Sequence, residues 1–201
     1  GKLAEAVFQA KKLGLEISQL ESMADGLLDI ESSLTAEFEA EVITGKQLNL
    51  ERARFFALTN DIAGVGREIE KQGYSQQQFA EATRIEQDAM AKAIGLSRDE
   101  LGNMLITSEA LRNTGAKNEE ELRQQYESVR GTAEEQAFLN KLGNDQYAQQ
   151  LRSQSVQERF NKTVAKLQDI FVSIAEPVLA IVSPFADLVN TVMPALNLAI
   201  I

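Results

Sequence analysis

The stretch TGKQLNLERARFFALTND, residues 44–61, decides how this chain folds. It opens on a Gly-Lys pair, which raises the question of phosphate binding. A phosphate-cradling loop needs a second Gly five residues before the pair and a Ser or Thr after it. Ala40 and Gln47 occupy those positions, so the requirement fails twice. Helix punctuation accounts for the stretch better. Gly45 stands where a left-handed stop closes a helix, and Asn49 is placed to cap the next one. Leu48 and Ala53 then form a weak hydrophobic staple across the start, and Glu51 falls in the first turn, where the helix dipole favours a carboxylate. Leu50, Ala53 and Ala57 make one apolar line that Phe56 widens. Asn60 or Asp61 stops this helix and restarts the chain. Ile62, Val65 and Ile69 give the following helix its buried face. Gly64 and Gly66 each cost that helix about 1 kcal/mol relative to Ala, which points to close approach by a neighbour. The stretch therefore predicts two short antiparallel helices beside a longer one over 18–43.

Working outward, the same punctuation repeats. Residues 2–13 read as a helix stopped by Gly14. Ser18 with Glu21 fits a capping box, and a helix over 18–42 follows with Ile30, Leu34, Phe38 and Val42 on one face. Ser75 with Gln78, Ser97 with Glu100, and Thr132 with Glu135 mark further starts, as does Asn118 before three Glu. From Asp145 a long helix is expected. Its residues Val156, Phe160, Val164, Leu167, Phe171 and Ile174 are spaced 4, 4, 3, 4 and 3, which approximates the 3.5-residue seam of a coiled coil. These signals predict an all-α chain: a helical domain over 1–144, then a long helix and an apolar helical segment over 145–201, with coiled-coil-like contacts between copies.

Composition narrows the function classes. The 201 residues include no Cys, His or Trp, which removes thiol nucleophiles, disulfides and histidine bases or ligands. A formal net charge of −10 argues against nucleic-acid binding, where affinity comes largely from neutralising phosphates. No specific nucleic-acid contact, cofactor or metal is expected. All three Pro (Pro177, Pro184, Pro194) lie near the end of the chain, so everything before them is permissive for helix. The last 31 residues are apolar but interrupted by Glu176 and Asp187, which disfavours an ordinary spanning helix. They read as a buried or oligomerising segment, or as one that contacts a membrane on release. The ends of the chain, Gly-Lys-Leu and Asn-Leu-Ala-Ile-Ile, read as those of a segment of a longer protein. Glu37, Glu39 and Glu41 alternate and are expected to spread around their helix. Asp25 and Asp29 share a face as a solvated pair. No catalytic residue is assigned, because nothing pairs a Ser, Lys or Tyr with a base.

Residues 27–72 carry a family resemblance. Glu31-Ser32-Ser33, Glu37, Glu39-Ala40, Thr44-Gly45-Lys46, Leu48 to Glu51, Ala53-Arg54, Ala57-Leu58, Asp61 and Glu68-Ile69 fall in an order and spacing that resembles a recurring segment of phage tail tape measure proteins. The stretch MAKAIGLSRDELGNML (90–105) resembles the continuation of that segment in the family. About 110 residues are covered. Phe55-Phe56 replace a smaller pair, and Gly66 stands where a better helix former is expected. The resemblance implies a long helical protein in the tail lumen and tip of the virion, present as a homotrimer. It implies contacts with tail tube and tail tip or hub proteins and control of tail length during assembly. It also implies release on infection to assist DNA passage, with host membrane contact through 170–201. Gly45, Lys46, Asn49, Leu50, Glu51, Ala53, Arg54, Ala57, Leu58 and Asp61 are then structural motif residues. The competing class is a helical scaffold or adaptor that binds partners through amphipathic faces. A third is a pore-forming toxin built on the apolar end.

Overall fold

Seven glycines with φ between +66° and +76° stop or turn the chain between helices, and Asp, Asn, Ser or Thr side chains restart it. The computed structural model describes residues 1–169, and all the regular structure among them is helical. In order these are α1 (Lys2–Lys12), α2 (Ile17–Leu28), α3 (Ile30–Thr44), α4 (Glu51–Leu58), α5 (Ile62–Lys71), α6 (Gln76–Glu81), α7 (Arg84–Ala93), α8 (Arg98–Thr114), α9 (Glu119–Val129), α10 (Glu135–Lys141) and α11, which runs through 145–169 of the described residues. The all-α class expected from the periodicity is what the chain adopts. It divides into two compact units, Gly1–Leu151 and Arg152–Ile201. Ala148 and Leu151, at the start of α11, are buried within the first unit. Phe171, Ile174 and the membrane-contact segment 170–201 lie outside the described residues.

The first unit holds two apolar clusters. The larger is built on Leu20, Met23, Leu50, Val65, Ile94 and Leu101, and many of its remaining members are Ala. The smaller surrounds Tyr126, Leu122, Leu142 and Leu111. Helix α8 supplies side chains to both. Small residues let helices pack at short range, and the clearest case is α5. A Cβ on Gly66 would stand 2.6 Å from Gln9 Cγ on α1 and 3.2 Å from Leu20 Cδ2 on α2. One on Gly64 would stand 2.6 Å from the Phe56 ring on α4. The helix cost of these two glycines is the condition for three helices to meet α5.

Several starts depart from the sequence reading. The box assigned to Ser18 and Glu21 belongs to Glu16 and Gln19, where the Glu16 amide donates to Gln19 Oε1 at 2.9 Å. The helix expected over 18–42 breaks at Asp29. Its carboxylate accepts from the Ser32 amide and from Ser32 Oγ (2.7 Å), a local alternative to continuing the helix. The start assigned to Thr132 and Glu135 is a turn instead. There Glu135 accepts the Gly131 amide at 2.9 Å and the Tyr126 hydroxyl at 3.0 Å. The Ser75 and Ser97 boxes and the Asn118 cap form as read, and Thr83 with Glu86 adds an unanticipated box. Helix α3 carries the apolar face that the spacing marked. Its buried side is Ser33, Ala36 and Ala40, while Ile30, Leu34, Phe38 and Val42 face solvent.

Two stability measurements probe these contacts. Gly26 lies inside α2 with nothing within 4 Å of an added Cβ. Gly26→Ala is expected to raise the urea-unfolding free energy by about 0.5–1 kcal/mol, and Gly66→Ala to lower it by about 1–3 kcal/mol through overpacking. Glu100 supplies a pH test. Its bonds to the Ser97 amide and hydroxyl, and to Gln19, hold its carboxyl below the usual value. A depressed folded pKa contributes stability that is present above the unfolded value, about 4.3, and is lost as pH falls through the folded one. Glu100→Gln keeps a capping partner and is expected to flatten the acid limb of melting temperature against pH.

Candidate functional site

Within the segment 44–61, residues 45–50 link α3 to α4, and their backbone amides need acceptors. Gly45 closes α3 at φ +67°, and its amide donates to Glu41 O. Beyond it the chain lies alongside α3, and carboxylates of that helix take the loop amides. The Leu48 amide donates to Glu41 Oε1 at 2.8 Å, and the Leu50 amide to Glu37 Oε1 at 2.9 Å. From the other side Gln72 clasps Asn49, accepting its amide at 2.9 Å and donating to its carbonyl at 2.8 Å. Asn49 Oδ1 accepts only the Glu51 amide, at 3.3 Å, and the helix begins one residue later than read, with Leu50 buried at the cap position.

Arg54 completes the arrangement. It is a buried cation on α4 whose Nε donates to Ser33 Oγ at 3.0 Å and whose guanidinium pairs with Glu37. Glu37 thus serves the Leu50 amide with one oxygen and Arg54 with the other. Glu37 and Glu41, one turn apart, share a face toward the loop, whereas Glu39 reaches Lys92 on α7 at 2.9 Å. The expectation that these three glutamates scatter without converging is corrected for the pair 37 and 41.

The remaining motif residues take varied places. Lys46 Nζ donates to Gly73 O at 2.7 Å and lies 4.7 Å from the centre of the Tyr74 ring; burial holds its pKa below the ordinary value. Burial first, then the charges of Glu37 and Glu41, push the Tyr74 hydroxyl well above its usual range. Ala53 and Ala57 are buried in the larger cluster. Asp61 caps α5, its Oδ1 accepting from the Gly64 amide at 2.8 Å, and also meets Arg67. Leu58 is exposed, and Glu51 lies in the first turn of α4. Among the described residues no three carboxylates gather as a metal site, and no helix is long and apolar enough to cross a membrane.

The seam on α11 is on the surface. Val156, Phe160 and Leu167 are 54 %, 62 % and 59 % exposed, and Val164 is partly buried. A second apolar surface is the stripe of α3, a face that the spacing marked without the direction it points. The signal for it was the alternation of that stripe with Ser33, Ala36 and Ala40, small residues suited to a close helix contact. Comparison with known proteins brings no family model, no curated relative and no solved structure that matches this chain.

The buried pair gives a direct test. Arg54→Ala leaves Glu37 without its cation and is expected to cost about 3 kcal/mol in chemical denaturation. Glu37→Gln is expected to cost less, because its amide oxygen still accepts from Leu50.

Proposed function

We propose that this chain is a structural segment of a phage tail tape measure protein, resident in the tail lumen and tip of the virion. The observation that carries the reading is the 27–72 motif. Its residues that make polar contacts have fold-holding roles, from the Gly45 stop and the Arg54–Glu37 pair to the Asp61 cap. In this reading the motif makes a rigid anchor and performs no catalysis. The exposed seam of α11 supports association of copies into a trimer, with tail tube and tip or hub proteins as further partners. The charge of −10 suits a conduit through which DNA must pass, since like charges discourage sticking. Segment 170–201 is the part that would meet the host membrane on release. The exposed α3 stripe favours a second reading, a cellular helical adaptor.

Tail length separates the two. In-frame deletions in the helical shaft of the parent gene are expected to shorten tails by about 1.5 Å per residue removed, measured by electron microscopy of negatively stained particles. Tails of unchanged length would leave the adaptor reading standing.

A further inference from the structure

Two apolar surfaces of this chain lack a partner among the described residues, and their charges are opposite. On α3, Ile30, Leu34, Phe38 and Val42 recur every four residues and are 42 %, 51 %, 67 % and 65 % exposed. The chain around them is acidic: residues 13–45 contain eight Asp or Glu and no Lys or Arg. Glu31 and Glu39 border the stripe, and Glu39 pairs with the exposed Lys92, a contact that is weak in solvent. On α11 the seam Val156, Phe160, Val164 and Leu167 is bordered differently. At 100° per residue, Arg152, Arg159 and Lys166, each seven residues from the next, fall along one flank, with Lys162 beyond them. Glu158 and Asp169 fall on the far side of the helix.

We infer that copies of this chain associate head to tail, the α3 stripe of one copy receiving the α11 seam of the next. The inference rests on the self-association proposed above and names the surface that the seam meets. Charge selects the pairing. Stripe against stripe would oppose Glu31 and Glu39 with their own copies; an antiparallel pair of seams would bring basic flanks together, and a parallel pair would set each basic flank against the uncharged flank of Gln157, Asn161 and Gln168, with no opposite charge to meet. Like charges facing each other across an interface are unfavourable. Seam on stripe sets a basic flank against an acidic one and covers both apolar rows. A contact between two different surfaces is heterologous, and it closes into a ring where the rotation between copies allows. Three copies related by a third of a turn would give the trimer without a three-stranded coiled coil.

The test uses Phe38→Asp and Phe160→Asp in the full chain, with sedimentation velocity across a range of concentrations. Both side chains are more than half exposed and outside the two clusters, so the fold is expected to survive; circular dichroism checks this. The wild-type chain is expected to associate, and added salt to weaken it. Each variant alone is expected to lose association, its dissociation constant rising at least about tenfold. An equimolar mixture of the two is expected to recover a complex capped at two chains. One variant keeps an intact seam and the other an intact stripe. If Phe38→Asp associates like wild type while Phe160→Asp does not, the seam meets another seam; the inference fails and the self-association reading survives. If both variants fail and the mixture recovers nothing, the inference also fails. A wild-type chain that stays monomeric at every concentration overturns both, including the case where the seam folds onto its own α3.

Discussion

The turn between α3 and α4 depends on acceptors that its own backbone cannot supply. Residues 46–50 run beside α3, whose interior carbonyls are engaged within the helix, and two of their amides, Leu48 and Leu50, belong to buried residues. A buried amide without a partner costs about 1–3 kcal/mol. Glu41 and Glu37 remove that cost with charged acceptors, the stronger kind. A carboxylate as enclosed as Glu37 in turn requires a cation, and Arg54 provides it from the helix that the turn leads into. The turn, the start of α4 and the face of α3 are one circuit. Because α4 packs on α2 and α5, the register set there passes to the larger cluster through Leu50, Ala53 and Ala57.

Much of this was legible, and the reason differs from one feature to the next. Gly45, Asp61, Ser75, Ser97 and Asn118 were readable because caps are local: the side chain and the amide it serves lie within a few residues. Gly64 and Gly66 were readable as close contacts because a helix tolerates their cost only for a packing reason. The role of Glu37 and Glu41 was not, since their acceptor function depends on where a loop 7 to 13 residues away returns. The break at Asp29 was missed because periodicity registers spacing and not one residue's choice between two local hydrogen bonds. The pairing of Arg54 with Ser33, 21 residues away, had no local signal at all.

The direction in which the α3 face points is the most informative of these. Apolar spacing of four reports a helix face but does not say that the face is inside. In α3 the buried side is Ser33, Ala36 and Ala40; Ser33 meets Arg54 of α4, and α3 packs closely on α7. Large apolar groups on that side would hold the two helices apart. They stand on the other side instead, exposed among the described residues. Four large apolar side chains in a row on a 15-residue helix, beside side chains already committed to holding a turn, make α3 a two-sided element. One side is satisfied by the chain's own packing. In the proposed assembly the other is covered by association, since a contiguous apolar patch on an otherwise charged surface is the usual mark of an interaction surface.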